Sequence, residues 1–204
     1  VGFDMQSRQL ANVGYDTSGS APRFVGSDVV GYESEVTQVR SVGTWFSRVV
    51  TRGCSALVNV PVLKDHDLAG ISGALKCHFG SIANPNKFHF DIQPHIADLN
   101  CAAVLREKQR LIVYDALLVC YDGGPAFKPA TTVNYGALIL STDPVAADTV
   151  GLDVIEKLRA ENGLPALSSL KRAPEHVALA AAPERGIVTN DPDKMEIVEV
   201  QGTA

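Results

Sequence analysis

Three apolar runs of strand length, each followed by a helical pattern, constrain the fold of this chain more than any other feature. The runs are SALVNVPVL, RLIVYDALLV and YGALILST, at residues 55–63, 110–119 and 135–142. Near-continuous runs rich in β-branched residues are typical of strands covered on both faces. Because such strands alternate here with helical patterns, the sequence predicts an α/β fold with a largely parallel or mixed sheet and helices on both faces.

The helical patterns have recognisable ends. After the third run, Asp143 and Pro144 supply an N-cap and a first helical residue, and this helix is predicted to end at Gly163. The other predicted elements are helices at residues 44–53, 67–79, 94–107 and within 167–182, and an edge strand at 194–200.

Length and composition fit one domain covering residues 1–204. The net charge is −5 and the 18 basic residues are scattered, which argues against a nucleic-acid surface. No apolar stretch approaches the roughly 20 residues of a membrane helix. Residues 1–50 are loop-rich, carry no signal peptide and begin like the middle of an α/β unit, so we expect that an upstream segment is lacking.

The commonest catalytic and metal-binding motifs do not occur. The four cysteines form no Cys-x-x-Cys pair, so zinc and iron–sulfur sites lack support, and the thiols are expected to be mainly core residues. The glycine patterns of serine hydrolases, dinucleotide-binding folds and P-loops are also missing. His78 and His176 read as ordinary helix residues.

Polar residues follow each apolar run. The carboxyl ends of neighbouring parallel strands open toward one edge of a sheet, where ligands collect. If the three strands are parallel neighbours, the residues released at their ends meet in one cleft. These residues are Lys64, Asp65, His66 and Asp67 after the first run, Asp122, Gly123 and Gly124 after the second, and Ser141, Thr142 and Asp143 after the third.

Two further acids stand out by their surroundings. Asp115 interrupts an apolar strand, and a lone buried carboxylate is costly unless it is bonded or coordinates something. Asp148 borders the apolar stripe of the helix after Asp143, so we expect it to be partly buried and paired with Lys64, Lys76 or an arginine. A purely structural ion pair is the alternative for Asp148, and helix capping is the simplest role of Asp143.

The histidines define a metal hypothesis. His66 lies at the end of the first run, and His89 and His95 lie on a loop and at a helix start. Two of these histidines together with Asp91 or Asp98 would suffice to bind a metal ion. Their spacing is not diagnostic of any metal, so metal binding stays one alternative among several.

An ordered set of blocks adds a family resemblance. The blocks VNVPVLKDHDLAGISGALKCHFGSI, DLN, IVYDAL, GGP and STDPVAADTVG occur in this order. Over roughly residues 50–200 the chain thereby resembles the bacterial and archaeal family called domain of unknown function 362. The resemblance implies an α/β fold and a polar cluster of Lys64, His66, Lys76, Asp98, Asp115, Asp143 and Asp148. Cys77 stands where the family usually has asparagine, so a contact of that amide is altered or lost here.

The resemblance implies no reaction. Some relatives carry ferredoxin-like iron–sulfur modules, which implies an association with redox chemistry, although this chain has no such cysteine motif. The blocks NPNKFH and ADLN are similar to those of members exported by a twin-arginine signal. This similarity implies a periplasmic location, with a cytoplasmic one as the alternative.

Two functions from different classes follow. The first is an enzyme or enzyme-like domain that binds a small anionic ligand, with or without a metal. In this hypothesis Lys64 and Lys76 bind the anion by their charge, and His66 and Asp115 transfer protons or coordinate a metal ion. The second is a redox accessory module for an iron–sulfur partner, which predicts a large exposed apolar patch. A scaffold of ion pairs without ligand is the third reading. The remaining predicted ligand-binding residues are Asp98, Gly123, Gly124, Asp143 and Asp148.

Overall fold

A computed structural model describes residues 7–12, 14–15, 24–187 and 190–201. These residues form one α/β domain around a mixed five-stranded sheet, as predicted. The first six residues, where the chain begins like the middle of an α/β unit, lie outside the described residues. Two short strands, β1 (Thr37–Val39) and β2 (Val42–Thr44), pair antiparallel in a separate hairpin. The sheet consists of β3 (Leu57–Asn59), β4 (Val62–His66), β5 (Gly70–Ser72), β6 (Gln109–Cys120) and β7 (Thr132–Ser141).

Strand β6 is the centre of the sheet. Its first part pairs with β3 and its second part with β4, both in parallel, because β3 and β4 are one apolar run interrupted at Pro61. Proline cannot donate a ladder hydrogen bond, but the Pro61 carbonyl still accepts the Asp115 amide at 2.8 Å. On its other side β6 pairs along most of its length with β7, which runs antiparallel.

The helices are α1 (Ser7–Asn12), α2 (Ser27–Val30), α3 (Ala74–Cys77), α4 (Ile92–Leu99), α5 (Ala103–Lys108), α6 (Pro144–Glu161) and α7 (Glu175–Ala181). Helix α6 matches its prediction, including the cap by Asp143. The helix expected at 94–107 is divided into α4 and α5, and the helix expected within 167–182 is reduced to α7 after a 3-10 turn at Leu167–Ser169. A π-helical turn at Val49–Gly53 replaces the helix predicted at 44–53.

The helix predicted at 67–79 is wrong in its first half. A turn follows β4, the chain returns as β5 antiparallel to β4, and only then does the short helix α3 begin. Gly70 has φ +78, and a Cβ there would overlap the Arg172 carbonyl. This backbone conformation is open to glycine and interrupts a helix. The small-residue pattern of this segment therefore serves close backbone approach in a tight hairpin.

The two faces of the sheet differ sharply. On one face Leu63, Ile112 and Tyr114 are fully buried in a core cluster that includes residues of α6. On the other face, apolar side chains of four strands, of the link between β3 and β4, and of the loop after β6 stay exposed. These are Val58, Val60, Val62, Leu117, Leu118, Phe127, Leu138 and Leu140. A second core cluster joins the β1–β2 hairpin to α3, α4, α5 and α7.

The remaining predictions concern the chain end and the thiols. The segment at 194–200 lies beside β7 but forms no strand within the described part of the chain. Within the described residues the four cysteines form no disulfide; Cys120 is buried and the others are half-buried. No helix among the described residues is long and apolar enough to cross a membrane.

Candidate functional site

Basic side chains gather in a cavity of about 410 Å³ on the outer face of β4. Lys64 and His66 are two residues apart in this strand, so they share a face, whereas Asp65 between them faces the opposite side. The cavity is completed by Lys76 and Cys77 of α3 and by His89. We call it the cationic cavity. Its lining side chains, all within the described residues, include no carboxylate.

Helix α3 brings Lys76 to the cavity, and Asp148 of α6 holds the start of α3 in place. The two carboxyl oxygens of Asp148 accept the amides of Ala74 at 2.6 Å and Leu75 at 3.0 Å. Amides at the start of a helix lack partners within it, so Asp148 caps α3 from another element. Lys76 Nζ lies 5.6 Å from the centre of the Phe79 ring, within the range of a cation–π contact.

Asp148 is fully buried, and its surroundings differ from those expected. Its partners are two backbone amides and the Tyr114 hydroxyl, in place of the predicted lysine or arginine. Burial raises the pKa of Asp148 to about 7, against the opposing effect of these hydrogen bonds. A Cβ at Gly73 would overlap both the Asp148 carboxyl and the Tyr114 hydroxyl, so this glycine, which also lines the cavity, is required by packing.

His66 is held in one orientation by the turn after β4. Its Nδ1 accepts the amides of Leu68 at 3.1 Å and Ala69 at 3.3 Å. Asp67 Oδ1 also lies 3.1 Å from Nδ1, but the two amides that donate to Nδ1 assign the proton of the neutral ring to Nε2. Burial and, to a smaller extent, the neighbouring Lys76 charge lower the pKa of His66 to about 4. His66 is therefore a neutral hydrogen-bond donor at neutral pH.

His89 has the opposite tautomer. Its Nδ1 lies 2.9 Å from the Pro85 carbonyl, which can only accept, so Nδ1 carries the proton and Nε2 has a free electron pair. The third metal candidate, His95, does not line the cationic cavity. Within the described residues, no three His, Cys, Asp or Glu side chains come together in a group that could hold a metal ion. The structure thus joins only two of the three predicted metal ligands, His66 and His89.

His176, which the sequence pattern did not single out, lies close to this group. Its side chain is fully buried, and its Nδ1 lies 2.8 Å from Gln93 Oε1. Its Nε2 has no hydrogen-bond partner among the described residues. Burial lowers the pKa of His176 to about 3, with contributions from His66 and Lys76. A buried imidazole on a helix has no local sequence signal that separates it from a core residue.

The predicted acids do not join the basic side chains in the cationic cavity. Asp143 accepts the amides of Val145 at 2.8 Å and Ala146 at 3.1 Å as the cap of α6. It lies at the opposite end of the sheet, because β7 is antiparallel to β6 and the condition that all three strands run parallel is not met. Asp98 accepts Ser41 Oγ at 2.6 Å and Arg185 Nε at 2.9 Å.

Asp115 is half-buried on the outer sheet face, so the lone buried carboxylate expected from the sequence is not present. Its Oδ1 accepts the Leu117 amide at 3.0 Å. Asp115 and Lys64 nevertheless line a neighbouring cavity together, on the same side of the sheet. The predicted charge pair therefore lies on one side of the molecule, as the first functional hypothesis requires.

Asp65 and Asp122 at the ends of β4 and β6 belong to a partly buried ion-pair network. Arg172 binds both carboxylates, at 3.1 Å to Asp122, and Arg159 binds Asp122 at 2.7 Å. Burial raises the pKa of Asp65, against the opposing effect of Arg172. Neither arginine is identifiable from the sequence pattern, since each lies far along the chain from its acid.

Gly123 and Gly124 complete the end of β6. The Gly124 amide donates to Asp65 at 3.0 Å, and a Cβ at Gly124 would overlap the Asp65 backbone. Gly123 has φ +76, a conformation that favours glycine. Their role in the structure is to seat the loop after β6 against β4, which brings Pro125 to the cationic cavity.

Fold and site together define an α/β domain with a cavity of basic side chains beside the central strands of a mixed sheet. The model of the family described as domain of unknown function (DUF362) matches residues 17–153. The chain belongs to this family. No curated protein and no solved structure matches the chain. Cys77 lines the cationic cavity.

Proposed function

We propose that this protein is an enzyme-like domain that binds a small anionic ligand in the cationic cavity. The observation that carries the proposal is that Lys64, His66 and Lys76 line one cavity whose lining holds no carboxylate. A concave site lined by one sign of charge concentrates the opposite charge. A volume of about 410 Å³ lies within the range of small-molecule sites.

Each basic side chain contributes differently to an anion in this cavity. Lys64 and Lys76 supply positive charge, and charge-assisted hydrogen bonds are about twice as strong as neutral ones. His66 offers its Nε2–H as a fixed neutral donor, because its Nδ1 is occupied by the turn. His89 offers a free Nε2 electron pair, so it is the proton acceptor available to a bound ligand.

Calorimetric titration with inorganic phosphate and with acetate at low ionic strength tests the proposal. We expect the wild type to bind at least one of these anions, and Lys76→Met to weaken binding about tenfold, equivalent to about 1.4 kcal/mol. Lys157→Met, at an exposed position of α6, is the matched control and should bind like the wild type. Urea denaturation of each variant verifies that the fold is kept.

Two results would overturn the proposal. One is that the wild type binds neither anion. The other is that Lys76→Met changes stability but binds anions as tightly as the wild type, which is the result expected if the lysines only support a scaffold.

The exposed apolar sheet face favours a second candidate, an accessory module that docks on an iron–sulfur protein. Leu138 and Leu140 are 57% and 65% exposed, and exposed apolar patches of this kind mark interaction sites. Native mass spectrometry with metal analysis of protein purified from its own source separates the candidates. A bound small molecule supports the first. An iron-containing partner protein that is lost when both leucines are changed to serine supports the second.

A further inference from the structure

A second cavity of about 420 Å³ lies beside the cationic cavity. Its lining is mostly hydrocarbon, from Leu117 and Leu118 of β6 and from Ala126 and Phe127 of the following loop. We call it the apolar cavity. The polar residues in its lining are Lys64, Asp115, Cys120 and Thr132.

The two cavities adjoin along β4. Val62, Lys64 and Pro125 line both of them. Strand β4 lies between β5 and β6 in the sheet; the cationic cavity extends toward β5 and α3, and the apolar cavity extends over β6. A ligand that extends past Lys64 therefore contacts basic side chains at one end and apolar side chains at the other.

The two cavities differ in the ligand chemistry that they favour. Asp115 is the one carboxylate in the described lining of either cavity, and it lies on the apolar side. It repels an anionic group there, while Lys76 and His66 attract one on the other side. Leu117, Leu118 and Phe127 are 50%, 54% and 67% exposed, so hydrocarbon placed against them removes apolar surface from water.

From this arrangement we infer that the ligand is an amphiphilic organic anion. Its carboxylate or phosphate head lies in the cationic cavity, and its alkyl or aryl body passes Val62 and Lys64 into the apolar cavity. This inference rests on the proposed function, because it takes the anion site as given and adds the chemistry of the remainder of the ligand. Each added methylene should raise affinity by roughly two- to fourfold until the apolar cavity is full.

Titration of the full chain with acetate, hexanoate, octanoate and 1-hexanol tests the inference, and hexyl phosphate compares the two head groups. We expect affinity to rise from acetate to octanoate by at least tenfold, and hexanol to bind at least tenfold more weakly than hexanoate. Lys76→Met should weaken every anion, including acetate. Leu117→Asn should weaken octanoate about tenfold and leave acetate unchanged.

Leu140→Asn is the matched control, because Leu140 is an exposed leucine on the same sheet face that does not line the apolar cavity. It should leave octanoate binding unchanged. Phe127→Ser, in the loop, provides a second variant of the apolar lining should Leu117→Asn disturb β6.

The outcomes separate this inference from the proposed function. If acetate binds as tightly as octanoate, the inference of an amphiphilic ligand is wrong, whereas the proposed anion site is supported. If hexanol binds as well as hexanoate, or if Leu140→Asn weakens octanoate as much as Leu117→Asn and Phe127→Ser do, the inference is likewise overturned. If no anion binds at all, both the inference and the proposed function fail.

Discussion

Asp148 shows how one side chain can position a site that it does not line. Its carboxyl joins α6 to the start of α3 and so fixes the backbone that carries Lys76 and Cys77. Burial raises the pKa of Asp148 to about 7. In the unfolded chain an aspartate loses its proton near pH 4. The folded state therefore binds this proton more tightly than the unfolded state over the interval between these values.

Asp148→Asn is expected to change how stability depends on pH. A carboxyl whose pKa is higher in the folded state stabilises the fold at low pH, and this contribution is lost as pH rises from about 4 to about 7. The loss amounts to at most ~1.4 kcal/mol per pH unit. Asparagine does not titrate, so the unfolding free energy of the wild type should fall relative to that of the variant between about pH 4 and about pH 7.

Urea denaturation across this pH range measures the difference. Because His66 and His176 titrate in both proteins, their contributions cancel in the comparison. A difference that stays constant with pH would contradict a raised pKa for Asp148.

At the scale of helices and strands, the sequence correctly predicts an element whose ends carry clear capping residues. Helix α6 has Asp143 as N-cap and Pro144 in the first turn, and both serve as the sequence indicates. The segment after Asp67 has an equally plausible helical pattern, yet it forms β5. Its hairpin requires the backbone of Gly70 to approach Arg172, a residue about a hundred positions along the chain, and no local pattern contains that contact.

Asp143→Ala is expected to destabilise the protein by about 1 kcal/mol, because two amides at the start of α6 lose their acceptor. Thermal or urea denaturation measures this change. Asp153→Ala, in an exposed position of the same helix, is the control and should change stability by no more than about 0.5 kcal/mol. Equal effects of the two variants would mean that the cap contributes nothing beyond helix propensity.

At the scale of the whole molecule, the sheet has one covered and one open face. The apolar runs predict strands covered on both faces, but the outer side chains of β3, β4, β6 and β7 stay exposed in the described structure. The cationic and apolar cavities both lie on this open face, at its β4 and β6 positions. Anything that covers the face therefore also covers the proposed ligand.

Matched substitutions on the two faces should differ strongly in their effect on stability. Leu63→Ala removes a fully buried side chain and should cost about 2–5 kcal/mol. Leu140→Ala removes a side chain that is 65% exposed and should change stability by less than about 0.5 kcal/mol. Urea denaturation of dilute protein compares them. A large cost at Leu140 that grows with protein concentration would show that a second copy covers the open face.

Periodicity and capping are properties of neighbouring residues, so the sequence alone was sufficient for the α/β class, for strands β6 and β7, and for helix α6 with its Asp143 cap. The same holds for Lys64 and His66, which share a face because they are two residues apart in a strand. Lys76 was assigned to the same site, although only the second half of the helix predicted to carry it forms, as α3.

Only the tertiary structure decided which charged groups meet. The direction of β7 sends Asp143 to the far end of the sheet, and Arg172 neutralises Asp65 from a distant segment. Asp148 is satisfied by amides of another element rather than by a lysine. Strand direction and contacts between distant segments depend on the packing of the whole chain. For this reason Lys64, His66 and Lys76 line one cavity, whereas Asp98, Asp143 and Asp148 are bound by groups elsewhere in the fold.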